Sequence, residues 1–128
     1  LVVGAGKAAA RMAEAVERIL GRRIAGGLIL SPVGVEGRAR RIPVVTAGHP
    51  VPDARGVAGA RRIAEMASQA GAGGLVLVLI SGGASALLPL PVPGVTLAAK
   101  QRITRLLLAC GTATAEIYTV RKHLSGIK

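Results

Sequence analysis

Two serines bracket a pair of glycines at Ser81-Gly82-Gly83-Ala84-Ser85, directly after the apolar run Leu75 to Ile80. Serine hydroxyls donate hydrogen bonds, and glycines let a backbone approach a ligand closely. The first amides of a following helix point outward, with a dipole that favours negative charge. Such a strand, turn and helix start suit a phosphate or a carboxylate. The competing reading is a tight turn that only packs the helix. Gly4-Ala5-Gly6-Lys7-Ala8-Ala9 makes a second strand-to-helix turn, with a lysine in it. A cation in the first turn of a helix opposes the dipole unless an anion lies between them, so Lys7 reads as an anion ligand.

Three further groups could do chemistry. His49 lies in Gly48-His49-Pro50-Val51-Pro52-Asp53, a proline-bounded loop at the end of a strand, which is the ligand edge of an α/β sheet. A structural loop histidine is the equal alternative. Asp53 reads first as a helix cap and second as a metal ligand. Val120-Arg121-Lys122-His123-Leu124-Ser125 gathers basic residues near a helix end. They either complement the dipole or clamp a carboxylate or phosphate, with Glu116 one turn earlier as pairing partner or metal ligand.

Known motifs narrow the chemistry. Gly4 to Ala9 fits the dinucleotide pattern G-x-G-x-x-A, but Leu30-Ser31-Pro32 stands where that pattern expects an acid. A P-loop is excluded, since Leu1 and Ala8 occupy its first glycine and its Ser/Thr positions. The serine loop lacks the G-x-S-x-G of a nucleophile elbow.

The elements that must position these residues follow from periodicity. Leu1 to Val3 reads as a strand and Lys7 to Leu20 as a helix with Ala8, Met12, Ala15, Val16 and Ile19 inward. Ile24 to Leu30 and Ile42 to Thr46 read as strands. A helix capped by Asp53 runs to about Ala70, burying Val57, Ala60, Ile63, Ala64 and Ala67. Leu75 to Ile80 reads as a central strand buried on both faces. Thr96 caps a helix to Ala109, with Leu97, Ile103, Leu106 and Leu107 inward, and a last helix runs from Thr112 or Thr114 to Leu124. Strands alternating with helices predict an α/β, Rossmann-like, doubly wound and mostly parallel sheet with flanking helices.

The chain has 128 residues and a formal charge of +11, carried mostly by arginine. Tyr118 is its only aromatic residue and the arginines are scattered, so there is no stacking platform and no basic stripe for nucleic acid. Cys110 is the only cysteine, which excludes an internal disulfide and fits a reducing, cytoplasmic setting. No apolar run approaches the roughly 20 residues that span a membrane. The strand-like start at Leu1 and the lack of a stop signal before Lys128 predict a part of a larger protein. Its open sheet edges would favour self-association.

Together, Gly6-Lys7-Ala8-Ala9 with Met12-Ala13, Thr46 to Asp53, Ser81 to Leu88 and Val120 to Ser125 resemble one family along essentially the whole chain. It is the two-domain glycerate 2-kinases, with a DUF4147 N-terminal and a MOFRL C-terminal domain. The resemblance implies that residues 1–128 are the N-terminal portion of the first domain and that the MOFRL domain is absent. It implies ATP- and Mg²⁺-dependent phosphorylation of D-glycerate to 2-phosphoglycerate, with this portion inactive alone. Carried over by position, Lys7 would be the cleft lysine. Ser81, Gly82, Gly83 and Ser85 would form the anion loop, and Arg121 and Lys122 would face the cleft. The rivals are an NAD(P)-dependent hydroxypyruvate reductase and a non-catalytic sugar-phosphate-binding domain. Ala84 departs from the family's third loop glycine and would be strained if φ were positive there. Tyr118 stands where the family has Asn, and Cys110-Gly111-Thr112-Ala113-Thr114 replaces a Gly-Ala pair.

Overall fold

Short apolar segments pair into a single all-parallel sheet in the computed structural model, which describes residues 1–128. The strands are β1 (Val2–Ala5), β2 (Gly27–Pro32), β3 (Val44–Ala47) and β4 (Leu77–Ile80), in the order β3-β2-β1-β4. The helices are α1 (Ala9–Leu20), α2 (Ala54–Ser68), the one-turn α3 (Ala84–Leu87), α4 (Leu97–Ala109) and α5 (Thr114–His123). Alternation along the strands splits the core in two. Val3, Ala5, Leu28 and Leu30 pack with Ala60 and Ile63 of α2 and Leu87 of α3. Val2, Ile29 and Leu79 pack with Ala9 and Ala13 of α1. Helices therefore cover both faces, and the expected doubly wound α/β architecture is what forms.

Local chemistry sets the helix ends. The Asp53 carboxylate accepts from the Gly56 amide at 2.9 Å, and the Thr96 hydroxyl accepts from the Ala99 amide at 3.1 Å, so both predicted caps are in place. Gly21, with φ +50°, ends α1.

Four expectations need correction. Leu75 to Ile80 is not a central strand buried on both faces. β4 lies at the sheet edge with β1 as its sole neighbour, and Val78 and Ile80 are 56% and 53% exposed, lining an open cavity. α1 begins at Ala9, which leaves Lys7 in the preceding turn; Met12 and Val16 pack against the core as expected, but its fully buried residues are Ala9, Ala10 and Ala13, while Ala8 and Ile19 are exposed. α2 likewise turns Gly56 and Gly59 inward with Ala60 and Ile63, because only glycines fit against Leu87, Pro89 and Leu30. The largest difference is in α4. It buries Lys100 and Thr104, one turn apart, while Leu106 is exposed, because this face meets backbone carbonyls rather than an apolar core.

Leu30 is fully buried between β2 and α2. Leu30→Ala is expected to cost about 2–5 kcal/mol, read as a lower urea midpoint with an unchanged slope.

Candidate functional site

In an open parallel sheet, ligands bind beyond the strand C-termini where the strand order reverses. Here that switch point lies between β1 and β4. Their register pairs Ala5 with Ile80, so the chain leaves both strands side by side as Gly6-Lys7 and Ser81-Gly82-Gly83. The two turns are tied together: the Lys7 amide donates to the Gly82 carbonyl at 2.9 Å, and the Ala8 amide donates to Ser81 Oγ at 3.0 Å. Gly6, with φ +138°, fits because a Cβ there would overlap Ser81. Ser81 thus satisfies an amide at the start of α1, a job the sequence pattern did not reveal.

Gly83 has φ +91°, and a Cβ on it would stand 3.0 Å from the His49 ring and 3.6 Å from Lys7 Cγ. Lys7, His49 and the glycine pair therefore converge. The Gly82 and Gly83 amides have no backbone acceptor, and Gly82 and Lys7 are exposed. The helix after this loop is a single turn, so the anion-attracting elements are these amides and the Lys7 ammonium rather than a macrodipole. Ala84 has no positive φ. It is the first residue of α3 and buried, so the departure at this position carries no backbone strain.

Desolvation pushes the His49 pKa below the usual histidine value, and the Lys7 and Arg121 charges push it the same way. His49 is therefore neutral at pH 7 and able to accept a hydrogen bond.

Arg121 was expected to face the cleft. It is 8% exposed, and its guanidinium donates to the Pro50 carbonyl at 2.9 Å, which ties it to the His49 loop. Lys122 is exposed and lines a cavity of about 720 Å³ with Ser81, Ser85, Tyr118 and Lys128, against apolar residues of β4 and α2. Tyr118 lines that cavity one turn before Lys122. Ser85 lies within α3, with a buried Oγ that has no partner.

The carboxylates are committed elsewhere. Burial raises the Asp53 pKa, but the Gly56 and Gly48 amides and Arg55 outweigh it and hold the carboxyl below its usual value. Glu116 Oε2 accepts from the Ala113 amide at 3.2 Å and so caps α5. No group of three or more His, Cys, Asp or Glu residues is placed to hold a metal. Lys100 and Lys128 escaped sequence reasoning. Lys100 Nζ donates to the Pro89 and Leu124 carbonyls, and Lys128 Nζ donates to the Ser85 carbonyl at 2.7 Å. The one available signal for Lys100 was its spacing of four from Thr96 and from Thr104 on a helix.

The family model described as domain of unknown function DUF4147 matches residues 1–128. A D-glycerate 2-kinase from Thermotoga maritima is 43% identical over 129 residues, covering 100% of this chain and 31% of the relative. A glycerate 2-kinase from Pyrococcus horikoshii is 41% identical, covering 99% of this chain and 28% of the relative. A relative from Agrobacterium vitis with a provisional hydroxypyruvate reductase name is 42% identical and 33% covered. The crystal structure of the Thermotoga maritima glycerate kinase superposes with TM-score 0.86 over 100% of this chain and 31% of that one. The chain thus spans about a third of the length of the curated relatives it matches.

Removing the Lys7 charge should relax the His49 titration. In Lys7→Met the His49 pKa is expected to rise toward the ordinary histidine value, followed by the ring ¹H shifts in an NMR pH titration. Because the folded pKa lies below the unfolded one, protonation of His49 opposes folding. Wild-type stability should therefore fall as pH drops below about 6.5, and less so in the variant.

Proposed function

The chain belongs to the DUF4147 family, and from that premise we propose that it is the N-terminal part of a glycerate 2-kinase. The reaction transfers a phosphoryl group from ATP to the 2-hydroxyl of D-glycerate, giving ADP and 2-phosphoglycerate. The observation that carries this reading is the convergence of Lys7, His49 and the Gly82–Gly83 amides at the β1/β4 switch point. The names and full-chain identities of the relatives support it.

Phosphoryl transfer needs positioning and charge neutralisation more than covalent chemistry by the protein. Lys7 neutralises phosphoryl oxygens at the open end of the cleft. The Gly82 and Gly83 amides hold the same group, and neutral His49 accepts a hydrogen bond from a hydroxyl beside it. Lys122 adds charge from the cavity that it lines. Arg121 acts here as a positioning residue for the His49 loop. Bound Mg²⁺ would supply further neutralisation, but Asp53 and Glu116 are both spent on capping, so this chain's carboxylates do not fit as its ligands. The remainder of the family polypeptide, the MOFRL domain in this reading, would close the cleft. A cytoplasmic location and self-association belong to the same proposal.

The reductase reading has one specific support, the Gly4 to Ala9 turn. Against it, Ser31 near the end of β2 occupies the place of the ribose-binding acid and is fully buried.

The test is a chimera in which residues 1–128 replace the matching segment of the Thermotoga maritima enzyme. It is assayed with ATP, Mg²⁺ and D-glycerate through enolase, which accepts the 2-phosphate alone. Turnover is expected, with kcat/KM at least about 100-fold lower in Lys7→Ala, as for loss of a transition-state charge partner. The 128-residue chain alone should release no ADP. A folded but silent chimera overturns the reading, and NADPH oxidation with hydroxypyruvate would put the reductase in its place.

A further inference from the structure

Behind the Ser81–Ser85 loop the chain gathers positive charge with no acid to match it. Lys100 is 4% exposed, and its Nζ donates to the Pro89 carbonyl and, at 2.6 Å, to the Leu124 carbonyl. Arg121 is 8% exposed; one terminal nitrogen reaches the Pro50 carbonyl, but its buried Nε–H has no partner. Ser125 follows Arg121 by about one turn and is 5% exposed, and its Oγ also lacks a partner, as does that of Ser85. Lys128 is an exposed residue whose ammonium reaches in from the cavity side to the Ser85 carbonyl. The chain's ion pairs are Arg11–Glu14, Arg55–Asp53 and Arg62–Glu65, all elsewhere.

The donor count is lopsided. An ammonium has three N–H groups, of which Lys100 uses two and Lys128 one, and the guanidinium keeps its Nε–H free. Two serine hydroxyls add more donors. Carbonyls satisfy some of these hydrogens but offset none of the charge. Desolvation and the Arg121 charge push the Lys100 pKa down to about 8. Desolvation, followed by the Lys100 and Arg121 charges, pushes the Lys128 pKa down to about 7. Buried charge without a counter-charge is costly, and an oxyanion would supply both the acceptors and the charge that are missing.

We propose that Arg121 Nε, Lys128 Nζ and the Ser85 and Ser125 hydroxyls form an internal subsite for one carboxylate or phosphate group, with Lys100 fixing the carbonyl frame around it. The group arrives through the cavity that Ser85 and Lys128 line. Identifying its occupant as the glycerate carboxylate, or the phosphate of the product, rests on the kinase reading; the subsite itself does not.

The experiment titrates the chimera that carries residues 1–128 in the Thermotoga maritima enzyme with inorganic phosphate and, separately, with D-glycerate, in chloride buffer at constant ionic strength and without nucleotide. Lysine ¹³Cε NMR follows the Lys100 and Lys128 midpoints. Saturable binding is expected, with both midpoints rising by about one pH unit or more. Ser125→Ala should weaken binding about three- to tenfold. Arg121→Lys, which keeps the charge but loses the fork geometry, should weaken it tenfold or more. Arg18→Ala, which removes an exposed charge on α1, should keep the shifts. Saturation by glycerate alone makes this a carboxylate site, and saturation by phosphate alone makes it a phosphate site. Unsaturable shifts that chloride reproduces overturn the proposal, as does unchanged affinity in Ser125→Ala and Arg121→Lys. A silent enolase assay beside saturable binding would remove the kinase reading and leave the subsite standing.

Discussion

The parallel pairing of β1 with β4 is the constraint on which the site depends. It reverses the strand order and brings two strand-to-helix turns into contact. The contact is closer than side chains allow: Gly4 lies against the Leu79 backbone, and Gly6 lies against Ser81. In return the turns bond each other, Lys7 amide to Gly82 carbonyl and Ala8 amide to Ser81 hydroxyl. Once they are locked, Lys7 is left exposed in the turn beside Gly83. Gly83 must then adopt a left-handed conformation, and its missing Cβ is what makes room for the His49 ring. The chemistry of the cleft is thus a consequence of backbone proximity at the switch point.

Much of this was legible because it is written in residue types with few alternatives. Glycines at 4, 6 and 83, the Pro50–Pro52 loop and the Asp53 and Thr96 caps have narrow conformational uses, and each sits where its chemistry requires. Apolar runs were read less well. Leu75 to Ile80 has the pattern of a strand covered on both faces, yet it forms an edge with Val78 and Ile80 open. Pattern reports the environment a segment is suited to, and the neighbours present decide whether that environment exists. In α4 the leucines near Leu106 drew the predicted face outward from the true one, because a buried lysine bonded to carbonyls leaves no periodic apolar signal.

The charge of +11 separates into two populations with different physics. Arg18, Arg22, Arg23, Arg38, Arg40, Arg41, Arg61, Arg62, Arg102 and Arg105 are exposed, where water and salt screen them. Lys100 and Arg121 are not, and their effect on neighbours is correspondingly larger. The exposed set gives solubility and a positive field; the hidden set shapes ionisation around α3, where the local shifts of Lys100, Arg121 and Lys128 all run downward.

Arg121 joins the two ends of the site. Its terminal nitrogen holds the Pro50 carbonyl, next to His49 in the chain, while its Nε faces no partner at the rear. The guanidinium is rigid and planar, so a shift at one edge is passed to the other. Its charge also contributes to keeping His49 neutral. An anion drawn to the rear edge would offset that charge and so ease protonation of His49 at the front. Because the link is thermodynamic, protonation at the front must in turn alter anion affinity at the rear. The buried guanidinium is therefore a physical reason for the two halves of the cleft to respond together.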